Sequence, residues 1–374
     1  MKKKPPKDPK DLRHGYTTGA NATAAAKAAL LSLASQTEVK EVDITLPIGD
    51  RVTFHMEKVS FKEDQATAII IKDAGDDPDA THLAEIEATV RWNDNIVIDG
   101  GKGVGRATKS GLPIAVGEAA INPVPRKMLK DMAEEVLGET KHRGAEIIIS
   151  VPKGEEIAEK TMNARLGIIG GISILGTRGT VVPFSTAAFR ASIAQAVSVA
   201  TESDCDHIIL STGGRSEKYA MTLFPELTEE AFVEMGDFVG FSLKQCKGKK
   251  RKRATLVGMM GKFSKVAQGI MMAHSRSAPV DFEFLRDLAA EAGADHSLLE
   301  QVENANTASE VGNILNEAGC DDFFTLLCER AAKNGYDHAG GGLEVEVILM
   351  TMKNDLLGRA VYGEVEEQKA GKSS

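Results

Sequence analysis

Three glycine-rich segments are the part of this sequence best suited to binding a ligand through the backbone. They are 100–105 (GGKGVG), 170–179 (GGISILGTRG) and 212–216 (TGGRS). Because glycine has no side chain, such segments allow main-chain N–H groups to approach an anion closely. Tight turns, or a cramped bulge between packed strands, are the alternatives. No segment has the spacing of a dinucleotide-binding GxGxxG or of a P-loop, so the pattern favours an anion site without naming a reaction.

A possible acid–base group lies at the end of a predicted helix over 262–274. Apolar residues recur there at intervals of three and four, and the stripe ends at His274. Such a stripe is typical of a core face, so a packed histidine is the simpler interpretation and a catalytic histidine the alternative. Lys262 and Lys265 lie off the stripe, where they can reach an anion or be solvated.

The run 247–253 (KGKKRKR) has six cations in seven residues. Such a run can dock nucleic acid or another polyanion. However, the chain has 45 Lys and Arg against 54 Asp and Glu, a net charge of −9, and only 5% aromatic residues. Nucleic-acid binding is therefore disfavoured, and an exposed loop before a strand is the preferred interpretation.

Length and composition describe the molecule that must position these groups. With 374 residues, 42% hydrophobic and 26% charged, we expect a soluble globular protein of two domains. No apolar run reaches the roughly 18 residues of a membrane helix, and no secretion signal follows Met1, so we expect a cytoplasmic protein. The four cysteines lack zinc-ligand spacing, which predicts reduced thiols and no protein metal site; they are Cys205, Cys246, Cys320 and Cys328.

The first half of the chain predicts an α+β domain with a mostly antiparallel sheet. An alanine-rich helix is expected over 20–34, with a capping threonine before it, and a second helix from 122 to 137. Alternating, β-branched segments predict the strands; these are 39–46, 51–61, 66–72, 86–92, 95–99 and 146–151.

The second half alternates strands, glycine loops and helices, which predicts an α/β domain with a largely parallel sheet. Strands are expected over 207–210, 254–258 and 344–351, and a long helix over 185–202. We place the domain boundary near residue 163, within ten residues, giving domains 12–163 and 164–352. The ends 1–11 and 363–374 are expected to be flexible tails.

Several longer stretches, in order along the chain, resemble one family. They are 12–19 (LRHGYTTG), 101–105 with 111–113 and 120–126 (AINPVPR), and 161–177 (TMNARLGIIGGISILGT). These resemble the CbiD family, the cobalt-precorrin-5B (C1)-methyltransferases of anaerobic cobalamin biosynthesis. The segments 236–240 and 261–275 are similar to it too, so the resemblance runs from about 12 to 350.

The resemblance implies methyl transfer from S-adenosylmethionine to C1 of a cobalt-precorrin, with cobalt present only within the substrate. Free N–H donors at helix N-termini would suit the carboxylates of that macrocycle. We expect the donor at 170–179 with 212–215, and the corrinoid between the domains. The expected donor-binding residues are Gly170, Gly171, Ser173, Gly176, Thr177, Thr212, Gly213 and Gly214. The expected substrate-binding residues are Thr17, Thr18, Gly19, Gly101, Lys102, Gly103, Gly105, Asn122, Asn163, Arg215 and Lys262. His274 is the candidate for proton removal or a carboxylate contact.

Two other functions remain open at this point. One is a non-catalytic carrier or scaffold that passes corrinoid intermediates between enzymes, whose mark would be corrinoid affinity without turnover. The other is nucleic-acid binding through 247–253, which would depend strongly on salt. A homo-oligomer and transient contacts with other enzymes of cobalamin synthesis are compatible with the first two functions.

Overall fold

The computed structural model describes residues 11–274 and 279–363. The chain forms two compact units that divide between Thr186 and Ala187. The two expected flexible tails lie outside the described residues, apart from Asp11 and Gly363.

From residue 11 onwards, the first unit contains thirteen strands, many of them short, and three α-helices. The strands are β1 (Gly15–Tyr16), β2 (Glu41–Thr45), β3 (Arg51–His55), β4 (Lys58–Phe61), β5 (Gln65–Ile71), β6 (Glu85–Asn93), β7 (Val97–Gly100), β8 (Gly103–Val104), β9 (Arg106–Ala107), β10 (Gly144–Ser150), β11 (Ile168–Ile169), β12 (Gly171–Ile172) and β13 (Thr180–Val181). The helices are α1 (Thr18–Ser35), α2 (Pro123–Leu137) and α3 (Gly154–Ala158).

The main sheet of this unit has the order β4-β5-β6-β10-β7. Its pairs are antiparallel, except that β10 and β7 run parallel. β2 and β3 form a separate antiparallel hairpin. The predicted single strand over 51–61 is wrong, because the chain turns between β3 and β4 and the two pair with different partners.

Helix α1 is buried along most of its length, which explains its composition. Its alanines pack against the main sheet, α2 and the hairpin. Every alanine between Ala20 and Ala29 is fully buried. A helix that is apolar on every side belongs inside a protein. Alanine both favours the helix and lets three neighbours approach closely.

The first unit ends later in the sequence than the expected boundary near 163. The short strands β11, β12 and β13 pair with β9, β8 and β1. Hydrogen bonds thus connect the segment 164–186 to the first unit. We expected the glycine-rich segment 170–179 in the α/β half, but it belongs to the first unit.

Within its described residues, the second unit contains eight α-helices, one short 3₁₀ helix (Glu229–Ala231) and five strands. The helices are α4 (Thr186–Glu202), α5 (Gly214–Leu223), α6 (Val239–Gly248), α7 (Met260–Val266), α8 (Phe282–Glu291), α9 (His296–Glu303), α10 (Ala308–Glu317) and α11 (Asp321–Ala339). The strands are β14 (His207–Ser211), β15 (Phe232–Glu234), β16 (Arg253–Gly258), β17 (Glu344–Met350) and β18 (Leu356–Tyr362).

The sheet of the second unit has the order β15-β14-β16-β17-β18. The first four strands run parallel and β18 runs antiparallel to β17. The chain thus has mixed α and β structure with sheets of both orientations, as predicted. Neither β15 nor β18 was predicted, since β15 has three residues and β18 lies near the polar C-terminal tail.

A row of polar side chains crosses the sheet of the second unit. His207 Nε2 lies 2.6 Å from Thr255 Oγ1, which donates to Glu346 Oε2 at 2.6 Å. Arg359 Nε and Arg253 Nη2 lie 2.5 and 3.0 Å from the Glu346 carboxylate, which is fully buried. The two guanidinium groups compensate this carboxylate, as a buried charge requires.

Burial of His207 predicts a pH-dependent stability. Burial, and then the charge of Arg253, lowers the pKa of His207 to about 4. In the unfolded chain this histidine becomes protonated below about pH 6.5, whereas in the folded chain it stays neutral until about pH 4. The free energy of unfolding therefore falls as pH decreases from about 6.5 to 4. Allowing for partial exposure, we expect roughly 2 kcal/mol of this loss to be absent in His207→Gln. Urea unfolding of both proteins at pH 7 and pH 4.5 measures it; parallel losses in the two would contradict this origin.

Candidate functional site

Segments far apart in the sequence meet at the N-terminus of α1 in the first unit. The Thr18 hydroxyl lies 3.2 Å from the carbonyl oxygens of both Ser173 and Leu175 and accepts from Leu175 N at 2.9 Å. The Gly19 N–H donates to the Leu175 carbonyl at 3.0 Å. The predicted segments 17–19 and 170–179 are thus in direct contact.

The segment 101–105 joins the same structure through backbone pairing. β8 and β12 run parallel, with Gly103 opposite Gly171. A Cβ atom on Gly171 would lie 2.0 Å from the Gly103 carbonyl oxygen, and one on Gly103 would lie 1.9 Å from the Val151 carbonyl oxygen. Gly105 N donates to the Ile172 carbonyl at 2.9 Å. At Gly103 and Gly171, glycine is required by packed backbones, the alternative we weighed against ligand approach.

Two buried polar side chains, Asn163 and Ser173, fix the backbone at residues 171–173. Asn163 Nδ2 donates to the Gly171 carbonyl at 3.0 Å, and Ser173 Oγ lies 3.5 Å from Asn163 Oδ1. Both side chains are directed at the protein itself. Their contribution to a site is therefore to position the backbone of 171–173.

The free N–H donors expected at two helix N-termini are largely occupied. At α1, the Gly19 N–H donates to Leu175, and the Ala20 N–H donates to the Thr17 hydroxyl at 3.2 Å. At α2, Asn122 N donates to the Ile174 carbonyl at 2.9 Å, and Pro123 begins the helix without an N–H. The expectation that the N–H groups of Gly19 and Asn122 are free donors is therefore wrong.

The remaining predicted residues of the first unit differ in how much space surrounds them. A Cβ on Gly170 would meet nothing within 4 Å, whereas one on Gly176 would lie 2.4 Å from the Thr17 side chain. A Cβ on Gly101 would lie 2.4 Å from Ser150 Oγ. The Lys102 carbonyl accepts from Val151 N at 2.8 Å. Gly170 is thus the glycine of this group with open space for a ligand.

A cavity of about 620 Å³ lies beside this structure, between α1, α2 and the β2–β3 hairpin. Of the predicted residues, Thr177 alone lines it. The lining residues are Thr23, Lys27, Asp43, Ile44, Thr45, Leu46, Pro47, Arg51, Val124, Lys127, Met128, Asp131, Met132, Glu135 and Thr177. Sequence reasoning missed this cavity, although Lys27, the one charged residue in the alanine helix, was a visible signal.

The charged side chains around the cavity are paired. Lys27 Nζ lies 3.0 Å from Glu135 Oε1, and Arg51 Nη2 lies 2.9 Å from Asp43 Oδ2. The hydrogen bond from the Thr53 hydroxyl, followed by the bond and charge of Arg51, holds the pKa of Asp43 below its usual value. Asp43 is therefore ionised at neutral pH.

In the second unit, the carboxyl ends of the parallel strands gather a second set of predicted residues. Thr212 and Gly213 follow β14, and Lys262 follows β16 within α7. Lys262 Nζ donates to the Thr212 carbonyl at 3.0 Å and forms a 3.1 Å ion pair with Asp237. The chain leaves β14 towards β15 and returns to β16 on the other side of β14, and open α/β sheets bind ligands at such a reversal.

The glycines at this edge have room beside them. A Cβ on Gly214 would meet nothing within 4 Å, and one on Gly213 would meet only Glu234 Oε1 at 4.0 Å. Sequence reasoning missed Glu234 and Asp237, because the short strand β15, which ends at Glu234 and precedes Asp237, was not predicted. Arg215 is engaged elsewhere, since its Nη1 donates to the Met352 carbonyl at 3.3 Å.

His274 does not lie on a helix. α7 ends at Val266, so the predicted helix over 262–274 is wrong beyond that residue. Gly269 has a φ of +84°, which interrupts the helical conformation. Lys265, which we expected off the core face, is buried and its Nζ donates to the His274 carbonyl at 3.1 Å. The residues after His274, 275–278, lie outside the described part.

The basic run 247–253 is partly neutralised by neighbouring carboxylates. Arg251 and Lys252 pair with Asp206, and Arg253 Nε lies 3.0 Å from Glu344 Oε1. These contacts agree with a loop that leads into β16. They do not leave the run as a continuous row of free cations.

Across 11–274 and 279–363, no set of three His, Cys, Asp or Glu side chains is arranged to hold a metal ion. In the same ranges, every helix is too short or too polar to span a membrane.

Known proteins are similar to this chain over nearly its full length. Residues 5–183 match the family model described as CbiD, and residues 272–361 match the model described as CbiD, C-terminal domain. The protein of Priestia megaterium named cobalt-precorrin-5B C(1)-methyltransferase is 59% identical over 362 residues, covering 96% of this chain and 99% of that protein. The protein of the same name from Geobacillus kaustophilus is 58% identical over 367 residues, with 97% and 99% covered.

More distant proteins match as well. A cobalt-precorrin-5B C(1)-methyltransferase of Leptospira borgpetersenii is 46% identical over 352 residues, covering 94% of this chain and 95% of that protein. A crystal structure of the cobalamin biosynthesis protein (cbiD) from Archaeoglobus fulgidus is 26% identical and covers 82% of this chain and 85% of that chain, with a TM-score of 0.39.

Proposed function

Because this chain belongs to the CbiD family, we propose that it methylates C1 of cobalt-precorrin-5B. The observation that supports this is 59% identity to a protein of that name, over 96% of this chain. Relatives at 58% and 57% identity have the same name. The aligned region includes both compact units and every predicted site segment. The chain is therefore a methyltransferase of cobalamin biosynthesis.

The methyl donor in this proposal is S-adenosylmethionine. The carbon–sulfur bond of the sulfonium breaks, its electron pair remains on sulfur as S-adenosylhomocysteine leaves, and electrons of the macrocycle form the new bond at C1. Because the sulfonium already activates the methyl group, the enzyme mainly has to align the two reactants and exclude water. This demands no nucleophilic side chain.

We propose the donor-binding residues as predicted, with different roles. Gly213 and Gly214 have open space beside them and follow β14 at the sheet reversal, which suits contact with the donor. Thr212 is held there by Lys262. In the first unit, Gly170 is open and Thr177 lines the cavity, whereas Gly171, Ser173 and Gly176 shape the backbone.

The corrinoid-binding residues in this proposal remain those of the sequence prediction. Thr17, Thr18, Gly19, Asn122 and Asn163 fix the local backbone, as do the glycines of 101–105. The charged members are Lys102, Arg215 and Lys262, and His274 is the proposed proton acceptor or carboxylate contact. The cobalt ion arrives within the substrate.

The proposal also includes two domains, a cytoplasmic location, and contact with other enzymes of the pathway or with a second copy of the chain. The four cysteines are free thiols, as a reducing compartment maintains them. Each compact unit has its own five-stranded sheet, which supports independent domains.

The test is anaerobic incubation of the purified protein with S-adenosylmethionine and cobalt-precorrin-5B, with products analysed by mass spectrometry. We expect the mass gain of one methyl group, and NMR should place that group at C1. If both ligands bind but an active substrate is returned unchanged, the non-catalytic carrier replaces the enzyme. If neither ligand binds, the proposed function fails.

A further inference from the structure

The cavity of the first unit contains one cation that differs from every other charge around it. Lys27 is the only charged residue of α1, and its side chain is 15% exposed. Its partner Glu135 is 66% exposed. An interior cation is thus compensated by a carboxylate that reaches in from the surface.

The other charges form solvent-exposed pairs at the rim. The side chains of Arg51 and Lys127 are 76% and 74% exposed, and each has an aspartate partner. Exposed pairs of this kind contribute little to stability, because water and salt screen them. Within the described residues that line the cavity, Lys27 therefore provides the strongest attraction for an anion, because it lies in less polarisable surroundings.

The edge of β2 adds main-chain groups to the same cavity. Leu46 N donates to Asp50 O, and Met56 N donates to Lys40 O, so even-numbered residues face β3. In an antiparallel pair the alternate residues direct their N–H and C=O groups away from the partner strand. Asp43 and Thr45 are those residues, both line the cavity, and β2 has β3 as its sole partner in the described sheets.

The remaining lining is apolar and of a size that accommodates part of a large ligand. Val124, Met128 and Met132 on α2 face Leu46 and Pro47 of the hairpin. A volume of about 620 Å³ is in the range of clefts for small molecules. It suits one edge of a macrocycle, with methylene groups against the methionines and a carboxylate at the ammonium group.

We propose that this cavity receives a carboxylate-bearing edge of the corrinoid, and that Lys27 exchanges Glu135 for an acetate or propionate group of the substrate. The inference rests on the proposed function and adds a binding site to it. No covalent step occurs here; Glu135 returns to solvent when the ligand carboxylate arrives.

Two substitutions with opposite expected effects test the exchange. With cobyrinic acid, a stable polycarboxylated corrinoid, as the probe, Lys27→Met should weaken binding by about 10-fold to 100-fold, because a charge-assisted hydrogen bond is lost. Glu135→Gln should strengthen binding several-fold, because it removes the internal competitor. Lys130→Met is the matched control: Lys130 also pairs with a glutamate on α2, lies outside the cavity lining, and should leave the affinity unchanged.

The direction in which Glu135→Gln changes the affinity for cobyrinic acid distinguishes the proposal from a purely structural ion pair. If the pair only stabilises the fold, both substitutions should lower the thermal midpoint and weaken binding together, and the proposal fails. Cobinamide, whose side chains are amides, should bind equally to the wild type and to Lys27→Met. A preference of cobinamide for the wild type as large as that of cobyrinic acid would also overturn it.

Methyl NMR of the wild type with labelled methionines locates the site without any substitution. Cobyrinic acid should shift the methyl signals of Met128 and Met132 and leave that of Met221, in the second unit, unchanged. Shifts confined to other methionines would exclude this cavity while corrinoid binding, and the proposed function, stand. If the wild-type protein neither binds cobyrinic acid nor methylates cobalt-precorrin-5B, the proposed function itself is refuted.

Discussion

Replacing Gly103 by alanine is expected to prevent the first compact unit from folding stably. The added Cβ would lie 1.9 Å from the Val151 carbonyl oxygen and 2.9 Å from Gly154 N. Both are main-chain atoms, so no side chain can rotate away. The backbone φ of +72° adds strain for any residue with a Cβ. We expect a loss of more than about 4 kcal/mol, the range reserved for severe packing errors.

Gly117→Ala is the control that separates overlap from backbone strain. Gly117 has a φ of +90°, but a Cβ there would meet nothing within 4 Å. Its loss should be about 1 to 2 kcal/mol, from φ alone. Urea unfolding followed by circular dichroism compares the two variants with the wild type. Equal, small losses would show that the backbones at Gly103 can separate at little cost.

Gly214→Leu is expected to abolish most methyl transfer while leaving the fold intact. Gly214 begins α5, its φ is not in the left-handed region, and a Cβ there would meet nothing within 4 Å. The leucine side chain would therefore occupy the space we assign to the donor. Displacement of a reactant by even one ångström can cost about 100-fold in rate, so we expect a reduction of at least that size.

Gly248→Leu provides the matched comparison for this experiment. Gly248 ends α6, and its Cβ position is also open. Both variants should keep the wild-type thermal midpoint to within a few degrees, and Gly248→Leu should keep its activity. The measurement is the initial rate of methyl transfer at several S-adenosylmethionine concentrations. Full activity in Gly214→Leu would move the donor away from this edge of the sheet.

Local patterns were enough to predict the larger elements. The alanines of α1 and the alternation in β5, β6 and β10 each specify their element over several residues. The short strands β8, β9, β11 and β12 have two residues each, which is too few for any periodicity. β8 and β12 pair where Gly103 and Gly171 pack closely, and β9 pairs with β11 beside them. Local sequence does not specify pairing between segments this far apart.

The site was predictable in its segments and less so in its chemistry. The sequence identified 17–19, 101–105 and 170–179, and the structure joins them in one unit. It did not show that Gly19 N–H and the Thr18 hydroxyl are already bonded to residues near 175, because hydrogen-bond partners depend on tertiary structure. The cavity at Lys27 was missed for the same reason, since its walls come from three separate elements.

The hydrogen bonds between Thr18 and the segment at 173–175 also determine when the first unit can fold during synthesis. Thr18 and Ser173 are 155 residues apart, and β1 pairs with β13 through Gly15 and Val181. Domains fold as the chain emerges from the ribosome, but contacts this distant in sequence close late. The alanine helix therefore lacks these tertiary hydrogen bonds until about half of the protein has been translated. Nascent chains that end before β13 should consequently remain sensitive to protease at α1.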